Sequence, residues 1–147
     1  MRIQLPLLLI VFLLSGCSTL ETITETRPGV DVNGKYQGYG TGYFDNGDKF
    51  TGQWRKGNPQ GNGTYEFANG DSYTGEIKYN PVTDMSLMHG QGTSRWANGD
   101  IYEGDWKDNK RNGKGTFRFA KGDIYNGEFK DDKRTGRGTI RWANGDV

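Results

Sequence analysis

From residue 46 onward, apolar and polar positions alternate along the chain. Between Ile101 and Lys107, the residues Tyr102, Gly104 and Trp106 fall on one side, and Ile101, Glu103, Asp105 and Lys107 on the other. Further on, Gly115, Phe117 and Phe119 alternate with Thr116 and Arg118. A period of two is that of a β-strand, whose successive side chains point to opposite faces. One face is therefore expected to carry rings and glycines, the other charges and threonines. Two such stretches read as a β-hairpin.

The hairpin recurs. Alignment on the glycines separates units at 46–68, 69–97, 98–120 and 121–143, with a half unit at 33–45 and the start of another at 144–147. Three units have 23 residues, and 69–97 is longer by six. Asn46-Gly47, Asn69-Gly70, Asn98-Gly99 and Asn144-Gly145 join the units. Asn-Gly predicts a two-residue type I′ turn, in which both residues take φ > 0. Lys121-Gly122 departs from the pattern and predicts the least comfortable turn of the set. Gly52, Gly75, Gly104 and Gly127 each lie between two bulky residues on one face, leaving room for rings from adjacent strands and for strong bending. Thr64, Thr93, Thr116 and Thr139 fall on the opposite face.

The spacing of Gly104, Trp106, Gly113 and Gly115, repeated in Gly127, Phe129, Gly136 and Gly138, resembles the MORN (membrane occupation and recognition nexus) repeat signature YxGxWxxxxxxGxGxxxxxxG. The resemblance covers roughly residues 33–147. It implies an all-β fold, an elongated, twisted, single-layer antiparallel meander of stacked β-hairpins, with its domain at 34–147. At two strands per repeat and about 4.8 Å per strand, four repeats span roughly 40 Å.

The N-terminus is of another kind. After Arg2, Leu5 to Leu14 form an apolar run interrupted by Pro6. A bilayer span needs about 20 apolar residues, so this run has instead the length of a signal-peptide core. It ends in Leu14-Ser15-Gly16-Cys17, which resembles a bacterial lipobox; the alternative is a chance cysteine after an ordinary signal peptide. The resemblance implies a signal peptide at 1–16, cleaved before Cys17, and two or three acyl chains on Cys17. One chain alone holds only marginally, so this would be a stable membrane anchor. Ser18 after the cysteine favours the outer membrane, with the domain facing the periplasm of a bacterial cell envelope. Residues 17–33, poor in apolar side chains and broken by Pro28 and Gly29, read as a flexible tether that reaches at most about 50–55 Å. Cys17 is the single cysteine of the sequence, so an internal disulfide is impossible.

Charge narrows the partners. Of 19 Lys and Arg, Arg2 leaves with the signal peptide, so 18 basic residues face 18 acidic ones. That balance argues against nucleic acid, whose binding requires many phosphates to be neutralised. The distribution is uneven: residues 18–100 hold 7 basic and 10 acidic groups, residues 101–147 hold 11 and 8.

Candidate chemistry is thin. Glu103 and Asp105, two apart among aromatic rings, have the look of a glycosidase dyad. Their counterparts in other units are Asn126 and Glu128, Thr74 and Glu76, and Thr51 and Gln53, so the pair is not maintained. Such a dyad also needs one carboxyl with a raised pKa in a cleft. Both acids read as solvent-face residues, with Arg118 as a cross-strand partner. His89, the single histidine, aligns with Asn112 and Thr135 and reads as a turn residue. The family's repeats accompany the kinase domain of plant phosphatidylinositol phosphate kinases, yet no phosphate-cradling loop followed by Lys and no kinase catalytic loop is present. The expectation is a non-enzyme without cofactor or metal.

Binding is the better reading. Trp54, Tyr73, Trp96, Tyr102, Trp106, Phe117, Phe119, Tyr125 and Trp142 are candidate contact residues on the aromatic face. Each ring buries about 150–250 Å², and an uncovered row would exceed the few hundred Å² a monomer exposes. Either the sheet curls until its own rings pack, or a partner covers them. The insertion 79–88 adds Met85, Leu87 and Met88, as a contact loop or as a loop folded back over the aromatic face. The leading expectation is a membrane-anchored scaffold or interaction module that binds an unidentified envelope protein through these surfaces. The alternative is binding of anionic lipid headgroups by the basic loops KDNKRNGK and KDDKRTGR, whose field Asp108, Asp131 and Asp132 largely cancel. The strand GTIRWA before the terminal NGDV reads as an edge: either the sequence is truncated there, or the edge pairs with a second copy in a homodimer.

Overall fold

A computed structural model describes residues 20–25, 29–30 and 35–146, with side chains from residue 35 onward. The signal peptide and Cys17 lie outside these residues. β1 (Leu20–Glu25) and β2 (Gly29–Val30) both pair with β3 (Tyr36–Phe44). There follow β4 (Lys49–Arg55), β5 (Asn58–Glu66), β6 (Ser72–Asn80), β7 (Met85–Arg95), β8 (Ile101–Lys107), β9 (Lys110–Arg118), β10 (Ile124–Lys130) and β11 (Lys133–Arg141). From β3 on, each strand pairs antiparallel with the next, in one open meander. The all-β meander is as expected. A difference lies at the N-terminal side, where two stretches of the expected tether are strands. Thr22, Ile23 and Thr24 are β-branched and suit the edge that β3 offers.

The glycines set the register. Gly40, Gly52, Gly63, Gly75, Gly92, Gly104, Gly115, Gly127 and Gly138 stand opposite one another in an unbroken line across nine strands. Over each pair lies the ring two residues before the first glycine: Phe50, Tyr73, Tyr102 or Tyr125. The space over Gly52, Gly75, Gly104 and Gly127 is thus filled by a ring of the glycine's own strand, and that over Gly63, Gly92, Gly115 and Gly138 by the same ring from the neighbouring strand. A Cβ on Gly104 would stand 2.5 Å from the Cα of Gly115 and 2.7 Å from the Tyr102 hydroxyl.

This line explains the curvature. Strands two apart in a flat sheet are about 9.6 Å apart. Yet Tyr73 on β6 meets Trp106 on β8 with ring centroids 5.5 Å apart, and Tyr102 on β8 meets Phe129 on β10 at 5.0 Å, both edge to face. The intervening strands present glycine there, so the rings close over them and the sheet curls toward its aromatic side. The outcome is a core of Tyr36, Phe50, Trp54, Tyr73, Ile77, Tyr102, Trp106, Phe117, Tyr125 and Phe129. Of the two possible covers for the rings, the sheet itself supplies one.

The curl requires bulges, which interrupt the ladder just after Gly52, Gly75, Gly104 and Gly127. A bulge strains pairing and leaves backbone groups to be satisfied. Tyrosine hydroxyls take up the carbonyls: Tyr73 donates to Glu76 O (2.9 Å), Tyr102 to Asp105 O (3.0 Å) and Tyr125 to Glu128 O (3.2 Å). Tyr36 does likewise with Tyr39 O (2.9 Å).

The turns differ from expectation. At Asn46-Gly47 the Gly47 N–H donates to Phe44 O and the Phe44 N–H to Asp48 O, while among the two only Gly47 has positive φ (86°). This is a three-residue loop with glycine at its left-handed position, and the same bonds recur at Gly70, Gly99, Gly122 and Gly145. Asn is needed for its side chain, since Asn46 Oδ1 accepts the Asp48 N–H at 3.0 Å. Lys121 is therefore not uncomfortable: its position has no positive φ, and Nζ sits 2.7 Å from Asp123 Oδ2. The two-residue turns with positive φ at both positions are at the other ends of the strands: Lys56-Gly57, Asp108-Asn109 and Asp131-Asp132.

Residues 79–88 are also not a plain loop. β6 and β7 pair as far as Asn80 and Met85, so the insertion lengthens a hairpin and only 81–84 turn. Leu87 is buried, and Ser86 Oγ donates to Pro59 O at 2.7 Å. Of the two readings of the insertion, folding back over the aromatic face describes Met88, which packs against the core; Leu87 is buried outside that cluster, while Val82 and Met85 stay exposed.

Candidate interaction groove

Curling leaves a concave trough between the two rows of turns. An open groove of about 700 Å³ there is lined on one bank by Phe67 and Asp71 and on the other by Met88, Asn109, Arg111 and Asp132, with Ser94, Trp96 and Trp106 between. Phe67, Trp96, Phe119 and Trp142 hold equivalent positions, just after the second strand of each unit. There the ring lies outside the pairing and leans on the core margin: Phe67 on Tyr65 (5.6 Å, 7° between planes), Trp96 on Phe117 (5.5 Å, 27°) and Phe119 on Phe117 (4.6 Å). The groove wall is thus a set of half-buried rings.

Arg111 governs the other bank. Its guanidinium carbon lies 5.2 Å from the Phe117 centroid, 5.4 Å from Phe129 and 5.8 Å from Tyr102. Nε donates to Asp132 Oδ1 and a terminal nitrogen to Asp132 O, both at 3.0 Å. Stacking and the fork geometry of arginine fix a cation beside apolar rings. Burial, more than the nearby Asp105 carboxylate, pushes the Tyr102 hydroxyl up to about 12, and burial also raises Tyr65 and Tyr73. These phenols stay neutral rather than becoming bases, and Tyr73 and Tyr102 act as donors.

The expected contact residues divide into three groups. Trp54, Tyr73, Leu87, Tyr102, Trp106, Phe117 and Tyr125 are between 0 and 9% exposed and form the core. As a contact face these seven are corrected: Leu87 is buried, and the surfaces of the six rings are spent within the core, except where the Trp106 edge lines the groove. Met88, Trp96 and Phe119 are half-buried at its margin. Met85 and Trp142 are exposed, at 53% and 45%. The groove brings Met88, Trp96 and Trp106 together and leaves Met85 outside.

Sequence reasoning missed Phe67, Arg111 and Asp132. Phe67 was legible, because it aligns with Trp96. The Arg111–Asp132 pair was not, since 21 residues separate its members. Tyr39, Tyr43 and Val82 are further exposed apolar residues that periodicity did not single out.

Glu103 and Asp105 do different things. Glu103 is exposed, between Thr93 and Thr116 on neighbouring strands. Asp105 Oδ2 accepts the Lys114 N–H at 2.7 Å, and its Oδ1 takes the Gln91 amide. Gln53 Oε1 makes the same bond to the Asn62 N–H at 3.1 Å, so this position caps the bulge in acid and amide form alike. Arg118 stands opposite Ile101 and Ile124, not opposite the acids. His89 is a strand residue of β7 rather than a turn residue, with Nδ1 3.5 Å from Asp108 Oδ1. Among the described residues no group of three His, Cys, Asp or Glu side chains is placed to hold a metal ion.

A curled meander held by paired glycines, with an open trough and, among the described residues, no three side chains placed to hold a metal ion, defines a repeat-built binding sheet. The MORN repeat model matches residues 32–49, 50–72, 85–101, 102–124 and 125–147, well over half of the chain, and the chain belongs to that family. Its repeats are in general non-catalytic modules of protein or membrane interaction. The matches at 50–72, 102–124 and 125–147 begin inside first strands rather than at the turns, and residues 73–84, which include the hairpin tip, lie outside all five. A search of curated proteins finds no match.

Proposed function

We propose that this chain is a non-enzymatic scaffold of a bacterial envelope that holds an extended segment of an envelope protein in its concave groove, anchored through lipid on Cys17. The observation that carries the reading is the groove itself. The remaining core rings are covered by the sheet, whereas Phe67, Trp96 and Met88 face a trough flanked by Asp71, Asn109 and Arg111. Half-buried rings supply apolar contact, and fixed polar groups supply direction and register. An extended chain matches an open trough better than a small molecule does, because small ligands are mostly enclosed.

Photo-crosslinkers placed at Met88 and Trp96 in the full chain test this. Adducts of one protein from both positions, lost on Phe67→Arg and absent from a crosslinker at Thr64 on the outer face, are expected. Equal adducts from Thr64 would remove the groove from the reading. The anchor has its own test: Cys17→Ser is expected to move the protein out of the membrane fraction.

A second reading rests on a different face. The register places Arg95, Ile101, Arg118, Ile124 and Arg141 in one row across β7 to β11, on the side away from the core. Three cations spaced about two strands apart, with apolar residues between, suit an anionic lipid surface. It predicts that protein lacking residues 1–17 sediments with anionic vesicles at low salt, and that Arg118→Glu abolishes this.

A further inference from the structure

We propose that the groove seats a tyrosine side chain of the bound segment over Ser94, with a Lys or Arg beside that tyrosine; this rests on the groove reading above and names what the groove selects. Tyr65, Ser94, Phe117 and Ile140 hold one position in the four full units, two residues before Phe67, Trp96, Phe119 and Trp142. Three of them are bulky, and the fourth is a serine. The ladder sets Ser94 between Tyr73 and Tyr102, both fully buried, so it belongs to the core side of the sheet.

Where this position carries a ring, the ring fills the core margin. Tyr65 lies 4.7 Å from Phe50 and 5.6 Å from Phe67, and Phe117 lies 4.6 Å from Phe119. Trp96 has no such ring on its own strand and stacks instead on Phe117 of β9, at 5.5 Å. The groove therefore reaches between Phe67 and Trp96 as far as Ser94 and the edge of Trp106. One ring missing from a repeated pattern of rings defines the shape of the guest, an aromatic side chain.

Polar groups narrow the choice. Ser94 is 6% exposed and lines the groove, and its hydroxyl has no hydrogen-bond partner among the described residues. A hydroxyl both donates and accepts, and one left buried without a partner is costly. Tyrosine brings a ring for the walls and a hydroxyl for the floor. Charge sets its neighbour. The lining holds the carboxylates of Asp48, Asp71 and Asp132 and the guanidinium of Arg111. Asp132 is already bound to Arg111. Among the described residues Asp48 and Asp71 are held by neutral donors, the side-chain amides of Asn46 and Asn69 and the N–H groups of Ala68 and Ala97. Two carboxylates without a cation attract a basic residue and repel an acidic one.

Tyramine, a phenol that carries an ammonium group, is the probe. Titrated into the isotope-labelled full chain, it is expected to shift the NMR signals of the Ser94 amide and the Trp96 indole saturably. Phenethylamine, which lacks the hydroxyl, is expected to bind about three- to tenfold more weakly, and Ser94→Ala to erase that difference. Para-hydroxyphenylpropionate, with a carboxylate in place of the ammonium, is expected to bind weakest. Equal affinity for tyramine and phenethylamine, no saturable shift, or a carboxylate that binds as well as tyramine would overturn the proposal. Ser94→Phe supplies the missing ring and is expected to raise the urea midpoint, abolish the tyramine shifts and remove the Met88 crosslink. The comparison of probes needs no variant and decides the matter if Ser94→Phe does not fold. A folded Ser94→Phe protein that keeps the Met88 crosslink overturns the tyrosine seat and leaves the groove reading standing. Absence of that crosslink from the unaltered sequence overturns the groove reading itself.

Discussion

The Asp100 carboxylate reaches from its own turn to the next, where Oδ1 accepts the backbone N–H of Ala120 at 2.8 Å. Its Oδ2 meanwhile accepts the Asn98 amide at 3.0 Å. Asp48 and Ala68, Asp71 and Ala97, and Asp123 and Ala143 repeat the bridge, each at 2.9 Å. These bonds couple each repeat to its neighbour along one rim, the nearest-neighbour term on which repeat arrays depend.

Removing the bridge should be felt. Asp100→Ala is expected to lower unfolding free energy by about 1 kcal/mol in urea titration, more if the Ala120 N–H is left without a partner. Asp100→Asn keeps an acceptor and should lose less. Equal losses would mean that charge, not the bridging bond, matters at this rim.

Gly115→Ala tests the glycine line. The new Cβ would enter the space of the buried Tyr102 ring, and forced overpacking costs typically about 1–3 kcal/mol. Thr116→Ala, on the outer face, is the comparison and should change the urea midpoint far less.

Phe50 is where a tyrosine stands in the other units, at Tyr73, Tyr102 and Tyr125. Phe50→Tyr is expected to stabilise the domain by about 0.5–1.5 kcal/mol, its hydroxyl donating to the carbonyl of Gln53 as Tyr102 donates to Asp105. A loss of stability would show that the slot over Gly52 and Gly63 is too tight for the oxygen.

Alkaline solution should open the sheet. Burial raises the Tyr102 hydroxyl to about 12, above the ordinary 10. The unfolded chain therefore loses this proton first, and stability falls as pH rises through about 10 toward 12. Thermal melts between pH 9 and 12 check this, with phenolate absorbance expected to follow unfolding rather than precede it.

Lys121→Asn should leave the urea midpoint unchanged at neutral pH, since Asn98 supplies the same contact to Asp100 that Lys121 supplies to Asp123. Lys121, and then the Ala143 N–H, hold the Asp123 carboxyl below its usual range. The stability linked to that shift is present at neutral pH and is lost as pH falls through the carboxylate range. Acid titration of Lys121→Asn should show a smaller loss than the unaltered protein.

Strands, repeat unit and glycine spacing were legible in the sequence because they are local. Tyr102, Gly104 and Trp106 share a face by the geometry of any strand, and repetition multiplies that signal. The turns were only half legible. Asn46-Gly47 announces a turn, but whether it takes two residues or three depends on the twist of the strands it joins. Lys121 was misread for the same reason: its side chain acts on Asp123, while its backbone asks for nothing special.

The sequence by itself determined that hairpins of one design follow one another, with rings on one side and threonines and charges on the other. Tertiary structure alone decided that most of those rings are interior. Bulges after Gly52, Gly75, Gly104 and Gly127 curl the sheet until Tyr73 meets Trp106 and Tyr102 meets Phe129 across an intervening strand. Curvature adds over many strands, and no single repeat contains it. The pairing of Arg111 with Asp132 follows from that same addition.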